Sequence, residues 1–143
     1  MPPFDQSIAA IVLSAKEAVL APMRPSLRRH ALTEAQWRVL RVIADRGATD
    51  ITGLAQTGLL HAPSVTRILR ELSERGLVVR LGTATDRRRA SVTLTEEGHA
   101  IVNVVSTDVA RIWRAYAERF GDRRLDSLLD ELRALTAAIA TVE

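Results

Sequence analysis

The chain has no cysteine. That removes disulfides, thiolate zinc sites and thiol-based redox sensing in one step. Aromatics are scarce too, two Trp, one Tyr and two Phe in 143 residues, although 47% of the sequence is hydrophobic and a one-domain core is within reach. No apolar run reaches the roughly 18 residues of a membrane span, so none is expected. The N-terminus lacks the cationic start and cleavage site of a signal peptide, which makes a cytoplasmic protein the expectation. There is no glycine-rich phosphate loop, and no Ser/His/Asp order stands out, so neither an enzyme nor a cofactor is expected. His30, His61 and His99 lie far apart with no i,i+4 pair, which argues against a metal site.

What is present is concentrated in residues 61–98. Val65, Ile68, Leu69 and Leu72 recur at helical spacing, with Pro63 suited to a first helical turn and Gly76 to the position past a helix end. The opposite face carries Ser64, Thr66, Arg67 and Arg70, short hydroxyls and long cations that reach base edges and phosphates. Ala62 stands where a Ser or Thr cap is expected, which leaves the first-turn N–H groups to a DNA phosphate or to water. His61 before it reads as a turn residue, or as a contact to phosphate or ligand. Residues 77–81 and 90–94 read as two strands, joined by a tip containing Asp86, Arg87, Arg88 and Arg89. Between positions 50 and 92 seven arginines face four acids, an excess equal to the whole chain's net charge of +3. The positive field is therefore focused on this stretch. A groove-sized helix followed by a hairpin with a cationic tip is the plan of a winged helix-turn-helix that binds double-stranded DNA.

The flanks complete the plan. Residues 4–21 form an apolar-rich helix with Ile8, Ile11, Val12, Ala15 and Val19 on one side, stopped or kinked by Pro22 and Pro25. An offset helical piece follows, whose Arg24, Arg28, Arg29 and His30 read as a solvated cationic face. Thr33 and Gln36 form a capping-box pattern ahead of a helix that buries Trp37, Leu40 and Ile43 and ends at Gly47. Asp50 or Thr52 caps a short helix to about Gly58, the first half of the helix-turn-helix. Thr95, with Glu96 and Glu97 behind it, opens a helix to about Phe120, and a last helix is expected over 126–140. These outer helices are more apolar than a small reading head needs. The expected architecture is mainly α with a small β-hairpin: dimerisation helices in 1–31 and 96–143, and a winged helix-turn-helix in 32–95.

Asp86-Arg87-Arg88, followed six residues on by Leu94-Thr95 and then Gly98, resembles the wing signature of the MarR family of bacterial transcriptional regulators. Pro63-Ser64-Val65-Thr66-Arg67-Ile68-Leu69 and Glu74-Arg75-Gly76-Leu77-Val78 resemble that family's recognition helix and its exit. Residues 32–41 with Met23-Arg24-Pro25 are similar to its subgroup that regulates homoprotocatechuate (aromatic acid) degradation operons. The resemblance implies a homodimer on a pseudo-palindromic operator, repressing transcription and released by a small phenolic or aromatic carboxylate. It implies that Pro63, Ser64, Thr66, Arg67 and Arg70 belong to the major-groove helix. Arg88 would enter the minor groove from a wing shaped by Asp86, with Arg87 and Arg89 on phosphates. The family's thiol-oxidation branch is excluded for want of cysteine.

An effector pocket is expected where the dimer helices meet the reading head, lined by Met23, Arg24, Leu27, Arg28, His30 and Trp37. An arginine there would pair a carboxylate and Trp37 would stack on a ring; the plainer reading of Trp37 is a core anchor. The competing function is a helical protein–protein adaptor without specific DNA binding, its terminal stripes covered by a foreign partner.

Overall fold

The computed structural model describes residues 1–82, 90–140 and 142. Within them the chain divides into two compact units, Met1–Thr107 and Asp108–Glu143. In the first, α1 (Ile8–Leu20) follows a short 3₁₀ turn, and a second 3₁₀ turn (Ala21–Met23) leads into α2 (Arg24–Arg29). Then come α3 (Glu34–Arg46), α4 (Ile51–Gly58), α5 (Ala62–Glu74) and the antiparallel strands β1 (Val78–Leu81) and β2 (Ser91–Leu94). Helix α6 (Glu96–Phe120) begins in this unit, and α7 (Asp122–Ile139) belongs to the second.

Local chemistry sets most of these boundaries. Thr33 Oγ1 accepts from the Gln36 N–H at 3.0 Å while Gln36 Oε1 accepts from the Thr33 N–H at 3.0 Å, the expected capping box closed in both directions. Asp50, rather than Thr52, caps α4, its carboxylate accepting from the Gly53 N–H at 2.7 Å. Helix α5 starts one residue before the expected position. Ala62 is its first residue and His61 the cap, with no side-chain bond to the first turn. Helix α7 starts four residues ahead of the expected 126, directly after Gly121.

The core of the first unit gathers Leu40 and Ile43 of α3, Leu54 of α4, and Val65, Ile68, Leu69 and Leu72 of α5, with Leu27, Val92, Leu94 and Val105 around them. In the hairpin Val78 pairs with Leu94 and Arg80 with Val92. The stretch before α4 also joins this pair, since Thr49 and Val92 exchange backbone hydrogen bonds of 3.1 and 2.9 Å. That bridge ties the entry of the helix-turn-helix to the wing. Trp37 is 5% exposed, so the anchor reading holds.

The outer helices differ. In α1 no residue is buried, and Phe4, Ile8, Ile11, Val12 and Leu13 stand exposed, Ile8 at 61%. In the second unit Trp113, Phe120, Leu128, Leu132 and Ile139 are likewise uncovered, and no residue of α7 is buried. Among the described residues no helix is long and apolar enough to cross a membrane.

Two turns hold non-glycine residues in the left-handed region, Ala31 at φ +51° and Leu59 at φ +57°. For an L-residue that conformation costs about 1–2 kcal/mol. Leu59 is 82% exposed, so its side chain repays little of the cost by burial. Leu59→Gly is expected to raise stability by about 0.5–1 kcal/mol, the relief partly offset by the freer unfolded chain. Urea denaturation checks this, and a destabilised variant would contradict it.

Candidate DNA-reading surface and effector cavity

The reading face is built by one helix. Its apolar residues Val65, Ile68, Leu69 and Leu72 are buried. By helical geometry this turns Pro63, Thr66, Arg67 and Arg70 to the outside, with Ser64 half-buried at the edge. The Thr66 hydroxyl donates to the Ala62 carbonyl at 3.2 Å, which leaves its oxygen lone pairs facing out. Arg67 stays 64% exposed, with Glu71 Oε1 3.9 Å from its Nε. The other Glu71 oxygen accepts from Gln36 Nε2 at 3.0 Å, so this acid is steered towards α3. Arg70 lines a shallow groove of about 260 Å³ with Thr66, Leu69, Ser73, Glu74 and, from β1, Arg80. Arg80 is thus a cation of the same surface, one that the helical pattern of α5 had no means of revealing. Asp86, Arg87, Arg88 and Arg89, the expected wing tip, lie outside the described residues.

Arg75, counted in the positive stretch, does different work. Its guanidinium donates to the Ala31 carbonyl at 2.7 Å and the His30 carbonyl at 2.9 Å, spanning the strained turn between α2 and α3. Arg38 acts similarly at the other end of α5. It donates to the carbonyls of Gly58 at 3.2 Å and Leu59 at 3.4 Å, at the end of α4. An arginine on a pair of carbonyls thus fastens the end of the reading helix to the α2–α3 turn, and another fastens the turn that precedes it to α3.

A second cavity, of about 240 Å³, lies beside α1, α2 and α3. Met23, Leu27 and Trp37 line it as expected, together with Lys16, Leu20, Glu34 and Arg38. Arg24, Arg28 and His30 are not among its lining residues. Arg28 is exposed, and Arg24 is engaged elsewhere. Its Nε donates to Glu34 at 2.8 Å and its two terminal nitrogens donate to the Glu17 carboxylate, so it leaves the solvated face expected of it. That bond holds the Glu17 carboxyl below its ordinary range, while Glu17 and Glu34 raise the Arg24 pKa further. Arg24 is shared between Glu17 and Glu34, so together with Lys16 and Arg38 the groups around the cavity keep one net positive charge, which favours an anion over apolar walls.

A helix-turn-helix, a two-stranded wing and a cationic reading face together define a DNA-binding transcriptional regulator. The sequence matches the MarR family over residues 31–89. It is 35% identical over 132 residues to the homoprotocatechuate degradative operon repressor of Escherichia coli, covering 90% of this chain and 89% of that protein. With the transcriptional regulator FarR of Neisseria gonorrhoeae it shares 34% identity over 137 residues, 96% of this chain and 91% of the relative. Among solved structures, NadR in complex with 4-hydroxyphenylacetate superposes with a TM-score of 0.80 at 34% identity, covering 100% of both chains. The chain belongs to the MarR family. It is a transcription regulator, not an enzyme, and the adaptor reading falls.

Proposed function

We propose that the protein is a homodimeric repressor that binds a pseudo-palindromic operator and is released by a small aromatic or phenolic acid. In this reading residues 32–95 read DNA, while 1–31 and 96–143 dimerise. The uncovered apolar faces of α1 and of the second unit support the dimer, because a second copy would remove both from water. Two reading helices then sit roughly 34–36 Å apart, about one turn of duplex. Ser64, Thr66, Arg67 and Arg70 meet base edges and phosphates, and Pro63 sets the first turn. Arg88 enters the minor groove from a wing shaped by Asp86, and Arg87 and Arg89 take phosphates.

The observation that carries the effector reading is the cavity. It joins an aromatic wall, Trp37, to two cations, Lys16 and Arg38. It is smaller than the roughly 300–1,000 Å³ of drug-sized sites, which suits one ring with a short acid arm. The relatives agree in kind, one named for an operon of aromatic degradation and one solved with 4-hydroxyphenylacetate.

The test is fluorescence anisotropy with DNA from upstream of the protein's own gene, titrated with and without 4-hydroxyphenylacetate, alongside sedimentation of the free protein. The expected result is a two-chain species with a salt-sensitive, sequence-preferring affinity that the acid lowers. A monomer, or affinity equal for scrambled duplex, refutes the operator reading. Undiminished affinity in saturating acid refutes the effector.

A further inference from the structure

We propose that Arg38 is the link between the cavity and the reading helix. A carboxylate entering the cavity draws its guanidinium off the Gly58 and Leu59 carbonyls and frees the turn that aims α5. The inference rests on the cavity being the effector site. It adds the route by which occupancy reaches the DNA-reading surface.

Arg38 is the residue common to both places. It lines the cavity beside Lys16 and Trp37, and its guanidinium donates to the last carbonyls of α4. Those two bonds, at 3.2 and 3.4 Å, are long for N–H···O contacts, which centre near 2.9–3.0 Å. A carboxylate accepts two parallel bonds from a guanidinium and adds the attraction of opposite charges, which a neutral carbonyl cannot offer. The competition therefore favours the ligand. What Arg38 lets go is a turn under strain, with Leu59 at φ +57°. Only Leu60 and His61 separate that residue from Ala62, where α5 begins without a side-chain cap. The first turn of the reading helix is held by the buried Val65 but has no capping side chain, while its far end is fastened by Arg75. Occupancy thus loosens one end of the helix and leaves the other in place. The cavity prefers the DNA-incompetent arrangement by the difference between the two arginine bonds, which is what a ligand needs to shift an equilibrium.

The experiment compares the parent homodimer with Arg38→Gln, which loses the charge but keeps an amide donor for one carbonyl. In the parent, saturating 4-hydroxyphenylacetate is expected to weaken operator binding about 10-fold or more, within the usual range of coupling. In Arg38→Gln the acid binds about 10-fold more weakly, and at saturation the operator affinity changes by less than about 3-fold. Hydrogen exchange on the unmodified protein gives a second readout that needs no variant: the acid should speed exchange at the amides of residues 59–62. A parent-like response in Arg38→Gln, or unchanged exchange at those amides while the parent releases DNA, overturns the proposal and leaves the effector site standing. If the parent neither binds the acid nor releases DNA, the effector site itself is refuted, and this link with it.

Discussion

Replacing Arg67 and Arg70 together by alanine is expected to weaken operator binding by roughly 1000-fold without unfolding the protein. The proposed homodimer carries each substitution twice. Four lost contacts at even about 1 kcal/mol each reach that figure, at the low end for an arginine on a guanine edge. Those of the four that contact phosphate should also flatten the log–log salt dependence by about 0.9 apiece. The fold should be indifferent. Both side chains are exposed, and Arg67's neighbour Glu71 is 3.9 Å away, a surface pair worth about 0–1 kcal/mol. Anisotropy across a salt series measures the binding, and circular dichroism the fold. Parent-like affinity in a folded double variant would remove α5 from the interface.

The second large effect lies away from DNA. Gly98→Ala is expected to cost about 3 kcal/mol, the upper range for overpacking, and to lower the thermal midpoint by roughly 10 °C. The reason is contact with backbone, not torsional freedom. A Cβ at position 98 would sit 2.1 Å from the Leu77 carbonyl oxygen and 3.4 Å from the Leu94 Cβ. That oxygen already accepts the Thr95 N–H at 3.0 Å. The Thr95 hydroxyl in turn donates to the Gly76 carbonyl at 2.6 Å and accepts the Gly98 N–H at 3.1 Å. The exit of α5, the root of β1 and the first turn of α6 meet in this knot, and an added methyl must move one of them. Denaturation at fixed protein concentration is the measurement, because a dimer's midpoint depends on concentration. A loss below about 1 kcal/mol would mean that the three elements are not held together here.

Elements that announce themselves by period were readable. The stripe of α5, the capping box at Thr33 and the branched strands each state their structure within a few residues. What escaped was chemistry without a local pattern. The first turn of α7, Asp122-Arg123-Arg124, is polar all round, so the visible stripe began at Leu125 and put the start too late. Thr49 pairs with Val92 through backbone atoms alone, and a single bridge leaves no alternation to read. Arg75 reaches carbonyls 44 and 45 residues away, and Arg38 carbonyls 20 and 21 away, so each passes in the sequence for one more surface cation. The cavity suffered the same confusion. Its apolar neighbours Met23, Leu27 and Trp37 were placed together from the sequence. Its cations were not, because which arginine a nearby acid claims depends on three-dimensional pairing, and Glu17 and Glu34 claim Arg24.

The two arginines that pin α5 sit outside the face it would show to DNA, and this separates vocabulary from posture. Side chains at 64, 66, 67 and 70 are open to exchange for a different target word while the rod keeps its tilt. A change at 38 or 75 would alter how the rod is presented and leave its spelling intact. In the proposed reading, retargeting the protein to a new promoter starts with these four side chains, so long as both pins stay in.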